Sequence, residues 1–225
     1  MRNLYYMIAF GEDYLIQFDC VHRTLLDMPA EIALVTDIDI AFKGVTVYKV
    51  DIPEGRQEAF KYRTQVHRII DFENYDAVCY ADTDVIIKRN LFEKYSTSLF
   101  VPQEAGVMMD NEHFSELLTN EERIAAARWP AINAGLFIVP KARLPFWSRY
   151  EEMTERSYKK RPWIAEQHAL NWLYFHEFNN WDMRLFERHD IGWPVKGISG
   201  EYAEHYICLK NEEKIRWMKD ALPKS

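Results

Sequence analysis

Five consecutive residues, Ala77-Val78-Cys79-Tyr80-Ala81, carry no charge and no amide, and the run is closed by an acid, Asp82. Side chains of an extended chain alternate between two faces, so a strand built from this run is apolar on both sides and must be covered on both. Only a sheet held between two layers offers that cover. Similar runs occur at Leu4 to Phe10, Ile32 to Val35 and Val45 to Val50, the last ending before Pro53. Between them, Tyr14, Phe18, Val21 and Leu25 recur at helical spacing until Met28-Pro29 stops them, and Ala59, Tyr62, Val66, Ile69 and Ile70 form a second stripe. The order strand, helix, strand, strand, helix, strand predicts an α/β fold: a mixed, mostly parallel sheet flanked by helices.

The second half is less regular. Its expected elements are a strand at Ser98 to Val101, a polar helix at Glu112 to Ala127, and a strand at Ile132 to Val139 that Pro140 ends. A helix at Ile164 to Phe178 and a strand at Met183 to Phe186 follow, then a Gly/Pro-rich loop from Ile191 to Gly200. A short strand at Tyr206 to Leu209 and a charged helix at Glu212 to Leu222 complete the series. With 225 residues, 48% of them hydrophobic, one core of good size is affordable and no interdomain linker is visible. Residues 1–225 are therefore expected to form a single domain, with residues 1–90 as its nucleotide-binding half and 91–225 completing the cleft.

The net charge of −7, without a dense Lys/Arg stripe, argues against nucleic acid as a partner. Cys20, Cys79 and Cys208 are too scattered for a zinc site or a redox dithiol. The first ten residues have one basic residue and a short apolar run, which fits a first strand rather than a leader or a membrane anchor. A cytoplasmic setting and no transmembrane segment are the expectations.

Asp82-Thr83-Asp84 stands at the end of the proposed fourth strand, where open α/β sheets place their ligand crevice. In extended chain the two carboxylates would emerge on the same side. Two buried acids are costly without a cation, and hard Mg²⁺ or Mn²⁺ takes carboxylate and phosphate oxygens together. The alternative is a pair on a solvated turn.

The stretch from Asp76 to Ile87, with Asp82-Thr83-Asp84 at its centre, resembles the metal-binding signature of GT-A (Rossmann-like) glycosyltransferases. The closest likeness is to their retaining, glycogenin-like and bacterial galactosyltransferase family. Asn133-Ala134-Gly135 resembles that family's Asn-small-Gly strand, Glu166-Gln167-His168 its acid-Gln-acid helix, and His205-Tyr206 its late His-aromatic pair. The resemblance implies that Asp82, Asp84 and His205 are the metal ligands and that Asp82 and Thr83 also meet the donor. It implies Mn²⁺ (or Mg²⁺) as the ion, a UDP-sugar as donor and a glycan or glycoconjugate as acceptor. Where the family continues with Gly and a Lys-Pro pair at the diphosphate, this chain has Ile207-Cys208-Leu209-Lys210-Asn211, so Lys210 stands one position early.

Within the same likeness, Ala9, Phe10 and Gly11 after the first strand, and Thr36 and Asp37 after the second, occupy the places that hold uracil. Tyr62 and Arg63 match the position whose cation reaches the donor, and Asn133 and Ala134 face the donor sugar. Glu166 and Gln167 would lie beside the anomeric carbon, with His168 where the family has a second acid. A retaining transfer can use Glu166 as nucleophile, or Gln167 and the acceptor oxygen in a same-face mechanism; an inverting enzyme needs a carboxylate as base. Among the aromatics, Trp172 reads as core and Trp193, in the Gly/Pro loop, as a wall for the acceptor.

The expected function is a metal-dependent hexosyl transfer from a UDP-sugar to a hydroxyl, with retention. The alternatives are an inverting GT-A transferase and an inactive sugar-binding module of the same fold; the altered Lys-Pro block lends the latter some weight, and the retained Asp82, Asp84 and His205 weigh against it. A phosphohydrolase using Asp82 as nucleophile fits poorly, because it needs its acids after the first strand and a Thr or Gly soon after them.

Overall fold

The computed structural model describes residues 1–52, 62–109, 117–207 and 209–222. Its first half runs β1 (Asn3–Ala9), α1 (Glu12–Leu25), β2 (Glu31–Thr36) and β3 (Val45–Lys49). Gly11 opens α1 at φ +86°, backbone that an L side chain strains to adopt. Glu12 and Asp13 in the first turn and His22 and Arg23 in the last suit the helix dipole. Residues 62–65 are helical and tighten into a 3₁₀ turn at Val66–Arg68. The expected stripe keeps Val66 and Ile70 buried, while Ala59 and Pro53 lie outside the described residues. The chain then enters β4 (Ala77–Ala81) and β5 (Val85–Ile87).

Further on come β6 (Leu99–Val101), β7 (Gln103–Met108), α2 (Asn120–Ala126), β8 (Pro130–Ile132) and β9 (Leu136–Pro140). After them stand α3 (Phe146–Tyr158), α4 (Ala165–Trp181), β10 (Met183–Leu185), β11 (Ile191–Gly192), β12 (Ala203–His205) and α5 (Asn211–Ala221). Several expectations need correction. Of the helix expected from Glu112 to Ala127, residues 112–116 lie outside the described residues; among those described the helix is Asn120–Ala126, its first turn fixed by the capping box of Thr119 and Glu122. The strand expected at Ile132 to Val139 is two strands, broken by a turn at Asn133-Ala134-Gly135. The late strand lies at Ala203–His205 rather than from Tyr206, since pairing with β5 recruits those three residues. The Ile191 to Gly200 loop contains β11, which pairs with β12.

The main sheet has the order β10-β6-β9-β4-β1-β2-β3. β1 pairs in parallel with β2 and β4, β2 with β3, and β10 with β6, whereas β9 runs antiparallel between β4 and β6. Mostly parallel and mixed is thus the observed character. The predicted cover on both faces is present. Tyr6, Val78, Tyr80 and Phe137 point to one core with Trp147 and Tyr150 of α3, while Tyr5, Cys79, Ala81 and Ile138 point to another with Phe18 and Val21 of α1. Truncating a large member such as Trp147 to Ala is expected to cost about 3–5 kcal/mol. A small second sheet, β11-β12-β5, sits at the carboxyl end of β4. Among the described residues, no helix is long and apolar enough to cross a membrane.

Candidate metal and donor site

β4 ends at Ala81, and the chain turns at once: the Val85 N–H donates to the Asp82 carbonyl at 3.0 Å. The two acids therefore meet across a turn, not along an extended strand as their spacing alone predicts. Thr83, between them, points the other way and donates its hydroxyl to buried Gln17 Oε1 of α1 at 3.2 Å. β5 then pairs antiparallel with β12, setting His205 opposite Val85. His205 Nε2 consequently lies 3.1 Å from Asp84 Oδ1 and 4.0 Å from Asp82 Oδ2. One ligand atom from each of the three residues falls within 4.8 Å of the others.

The backbone at residue 135 closes this cluster from below. A Cβ on Gly135 would stand 2.7 Å from Asp82 Oδ2 and 2.9 Å from Asn133 Oδ1, so only glycine lets the carboxylate and the imidazole approach the turn. The Asp82 N–H donates to the Gly135 carbonyl at 2.7 Å, which ties the acidic turn to the Asn-Ala-Gly turn. His205 Nδ1 is buried with no hydrogen-bond partner among the described residues, and Asp84 Oδ1 and His205 Nε2 face each other with no further partner among them. Two carboxylates and an imidazole converging in a buried pocket form a donor set that suits a divalent ion. The residues present therefore fit a divalent metal ion.

Two cations and a phenol surround the acids. Arg63 Nη2 pairs with Asp82 Oδ1 at 2.8 Å, and its Nη1 reaches Glu166 Oε1 at 3.1 Å. The Tyr80 hydroxyl also donates to Asp82 Oδ1, and the guanidinium lies 5.1 Å from the Tyr80 ring centre. Burial works against the Arg63 charge, but Asp82, Tyr80 and Glu166 outweigh it and hold its pKa well above the ordinary value. Burial likewise pushes the Asp84 carboxyl up, yet His205 and Lys214 beside it prevail and keep it well below the usual carboxylate range. Lys214, on α5, places Nζ 2.5 Å from Asp84 Oδ2.

Glu166, at the start of α4, is 4% exposed, and burial raises its pKa against the opposing pull of Arg63. Its Oε2 has no hydrogen-bond partner among the described residues. Its neighbour Gln167 is spent on backbone: Oε1 accepts from the Ala134 N–H at 2.7 Å, and Nε2 donates to the Ile132 carbonyl. Asn171, one turn on, accepts from the Ile132 N–H and donates to the Ile132 carbonyl, each at 2.8 Å. Asn133 Oδ1 accepts from the Gly135 N–H at 2.7 Å. His168 is buried toward α3, 3.5 Å from Ser157 Oγ and away from the acids.

At the other side of the crevice the Gly11 N–H donates to Asp37 Oδ1 at 2.9 Å, joining the ends of β1 and β2. Ala9 and Thr36 are buried, and Phe10 meets Tyr62 edge to face at 5.4 Å. Lys210 is exposed at the N-cap of α5. The lysine that enters the site is Lys214, one helical turn later, a residue the sequence reading passed over. No local pattern singles it out from the other charged residues of α5. Trp193 is 3% exposed with its ring 5.1 Å from that of His205, so it stands behind the imidazole rather than open to a substrate. Trp172 is half-buried under the Arg149 guanidinium.

No family model matches the sequence, and no curated protein matches it. Solved structures do match in shape. One is a glycosyltransferase involved in the glycosylation of the major capsid of PBCV-1, with TM-score 0.66 and 9% identity over 98% of this chain and 100% of that one. Another is an active-site mutant of LgtC, with TM-score 0.61 and 11% identity over 100% of this chain and 97% of that one. At such identities the likeness speaks to fold, and the fold is GT-A.

Proposed function

We propose that this chain is a metal-dependent glycosyltransferase that moves a hexose from a UDP-sugar to a hydroxyl of a glycan or glycoconjugate, with retention of the anomeric configuration. The observation that carries this reading is the convergence of Asp82 and Asp84 with His205, remote from them in sequence, at the carboxyl end of β4 beside a glycine-only gap. Asp82, Asp84 and His205 would hold Mn²⁺ or Mg²⁺, which when bound absorbs the negative charge that develops on the diphosphate leaving group.

The protein's own groups supply the rest. Asp37, held through Oδ1 by Gly11, keeps its other oxygen for the uracil N3–H, and Gly11 lets the base approach the backbone. Arg63 spans Asp82 and Glu166 and so fixes the distance between the nucleotide end and the sugar end of the crevice. Glu166, with one unspent oxygen, is the carboxylate we assign to the anomeric carbon. Gln167 acts by clamping the Ala134 turn against which the sugar rests.

Isothermal titration with UDP in Mn²⁺ and in EDTA tests the reading. UDP is expected to bind measurably tighter with the ion, and Asp84→Asn to abolish the difference while the protein stays folded. Equal affinity in both buffers would overturn it.

A further inference from the structure

Lys214 occupies a place that makes no sense for a lysine meant only to hold a helix on the surface. Its ammonium sits on Asp84 Oδ2, largely out of water, while Asp84 Oδ1 is the oxygen turned toward His205 and Asp82. The helix that delivers it is fastened independently. Met218 is fully buried, and Asn211 Nδ2 donates to Asp13 Oδ2 of α1 at 3.1 Å. The lysine is thus a tethered cation whose backbone stays fixed whatever its side chain does. Across the site, Arg63 holds Asp82 in the same manner. Each acid of the pair thus already faces a protein cation, which weakens its attraction for a free ion, and at Asp84 that cation is shared with no other acid among the described residues.

We propose that Lys214 is a built-in counter-cation that opposes the divalent ion at Asp84, so that the site takes its ion together with a nucleoside diphosphate and not alone. The inference rests on the reading that Asp82, Asp84 and His205 form the metal site. Its physical basis is that like charges a few ångströms apart in a partly buried setting repel strongly, and that a ligand bringing negative charge offsets the repulsion. Mn²⁺ and diphosphate then bind with positive coupling, and by linkage each strengthens the other equally. Arg63 lacks this role because its second hand holds Glu166.

The test is Mn²⁺ titration followed by electron paramagnetic resonance, without nucleotide and then with saturating UDP. Lys214→Met keeps the stem and removes the charge; Lys214→Gln is the second neutral variant, and Lys214→Arg retains the charge. Both neutral variants are expected to bind Mn²⁺ alone about tenfold tighter than the native protein, with a smaller gain on adding UDP, and the Arg variant to resemble the native protein. Circular dichroism confirms the fold of each. If folded neutral variants bind Mn²⁺ alone no tighter than the native protein, while Asp84→Asn still removes binding, this inference fails and the metal site stands. If the native protein binds no Mn²⁺ with or without UDP, the metal site fails and this inference falls with it.

Discussion

Gly135 and His205 are in contact through an atom that does not exist: a Cβ at residue 135 would lie 2.4 Å from His205 Cε1. Real carbons do not approach so closely, so any side chain there moves the imidazole, the backbone turn, or both. Gly135→Ala is expected to cost about 1–3 kcal/mol of stability and to weaken Mn²⁺ binding in the presence of UDP. Urea denaturation alongside metal titration checks both; unchanged metal affinity would show that His205 is no ligand.

Glu166 presents a trade between stability and turnover. Its folded pKa is raised, burial being the chief cause, so ionisation opposes folding above the folded pKa, and that cost fades as pH falls through it toward the unfolded value of about 4.3. Glu166→Gln is therefore expected to melt higher than the native protein at pH 7, with the gap closing on acidification. Its kcat should fall by about 10²-fold or more, with UDP affinity little changed. A variant with native turnover would remove Glu166 from the reaction.

The strand that carries His205 has its own acid sensitivity. Burial raises the Glu204 carboxyl, but the Lys88 ammonium, the Tyr206 hydroxyl at 2.7 Å and the Ser199 hydroxyl at 3.0 Å lower it further than burial raises it. A depressed folded pKa gives stability that is complete above the unfolded value of about 4.3 and is lost as pH falls through the folded one. Glu204→Gln is expected to destabilise the protein by about 1–2 kcal/mol at pH 7 and to flatten the stability profile below pH about 4.3. Thermal melts across that range read both effects.

Asn171 holds both backbone groups of Ile132 with one amide. Asn171→Ala leaves a buried N–H and a weakened carbonyl, at a cost of about 2–4 kcal/mol. Donor affinity should fall with it, because the Asn133-Ala134-Gly135 turn begins at the next residue. Equilibrium unfolding gives the first quantity and UDP titration the second.

The apolar runs that became β1, β2 and β4 were legible because burial on both faces leaves no polar residue to confuse the pattern. The acids at the end of β4 were legible for the converse reason, as charge where the chain should still be apolar. β12 was misplaced by three residues because Ala203-Glu204-His205 has no strand signature of its own; pairing with β5 creates it. Lys214 was missed because a lysine in a charged helix looks solvated until the packing of α5 on α1 turns it inward. Gln167 read as a reacting group, although its amide is committed to the backbone of the neighbouring turn, a bond between distant segments that no local pattern reveals.

The pairing of β12 with β5 also bears on synthesis. Chains emerge N-terminus first, and β1, β2, β3 and β4 can associate as soon as they appear, exposing Asp82 and Asp84 side by side. Their imidazole partner and the Lys214 ammonium leave the ribosome much later, on β12 and α5. Until then the acid turn is met by Arg63 and the Tyr80 hydroxyl, both at Asp82, and Asp84 is without the His205 and Lys214 groups that face it in the finished fold. The crevice is finished by elements made well after the strand that bears its acids, so a chain cut before β12 carries two poorly compensated carboxylates at the end of its central strand.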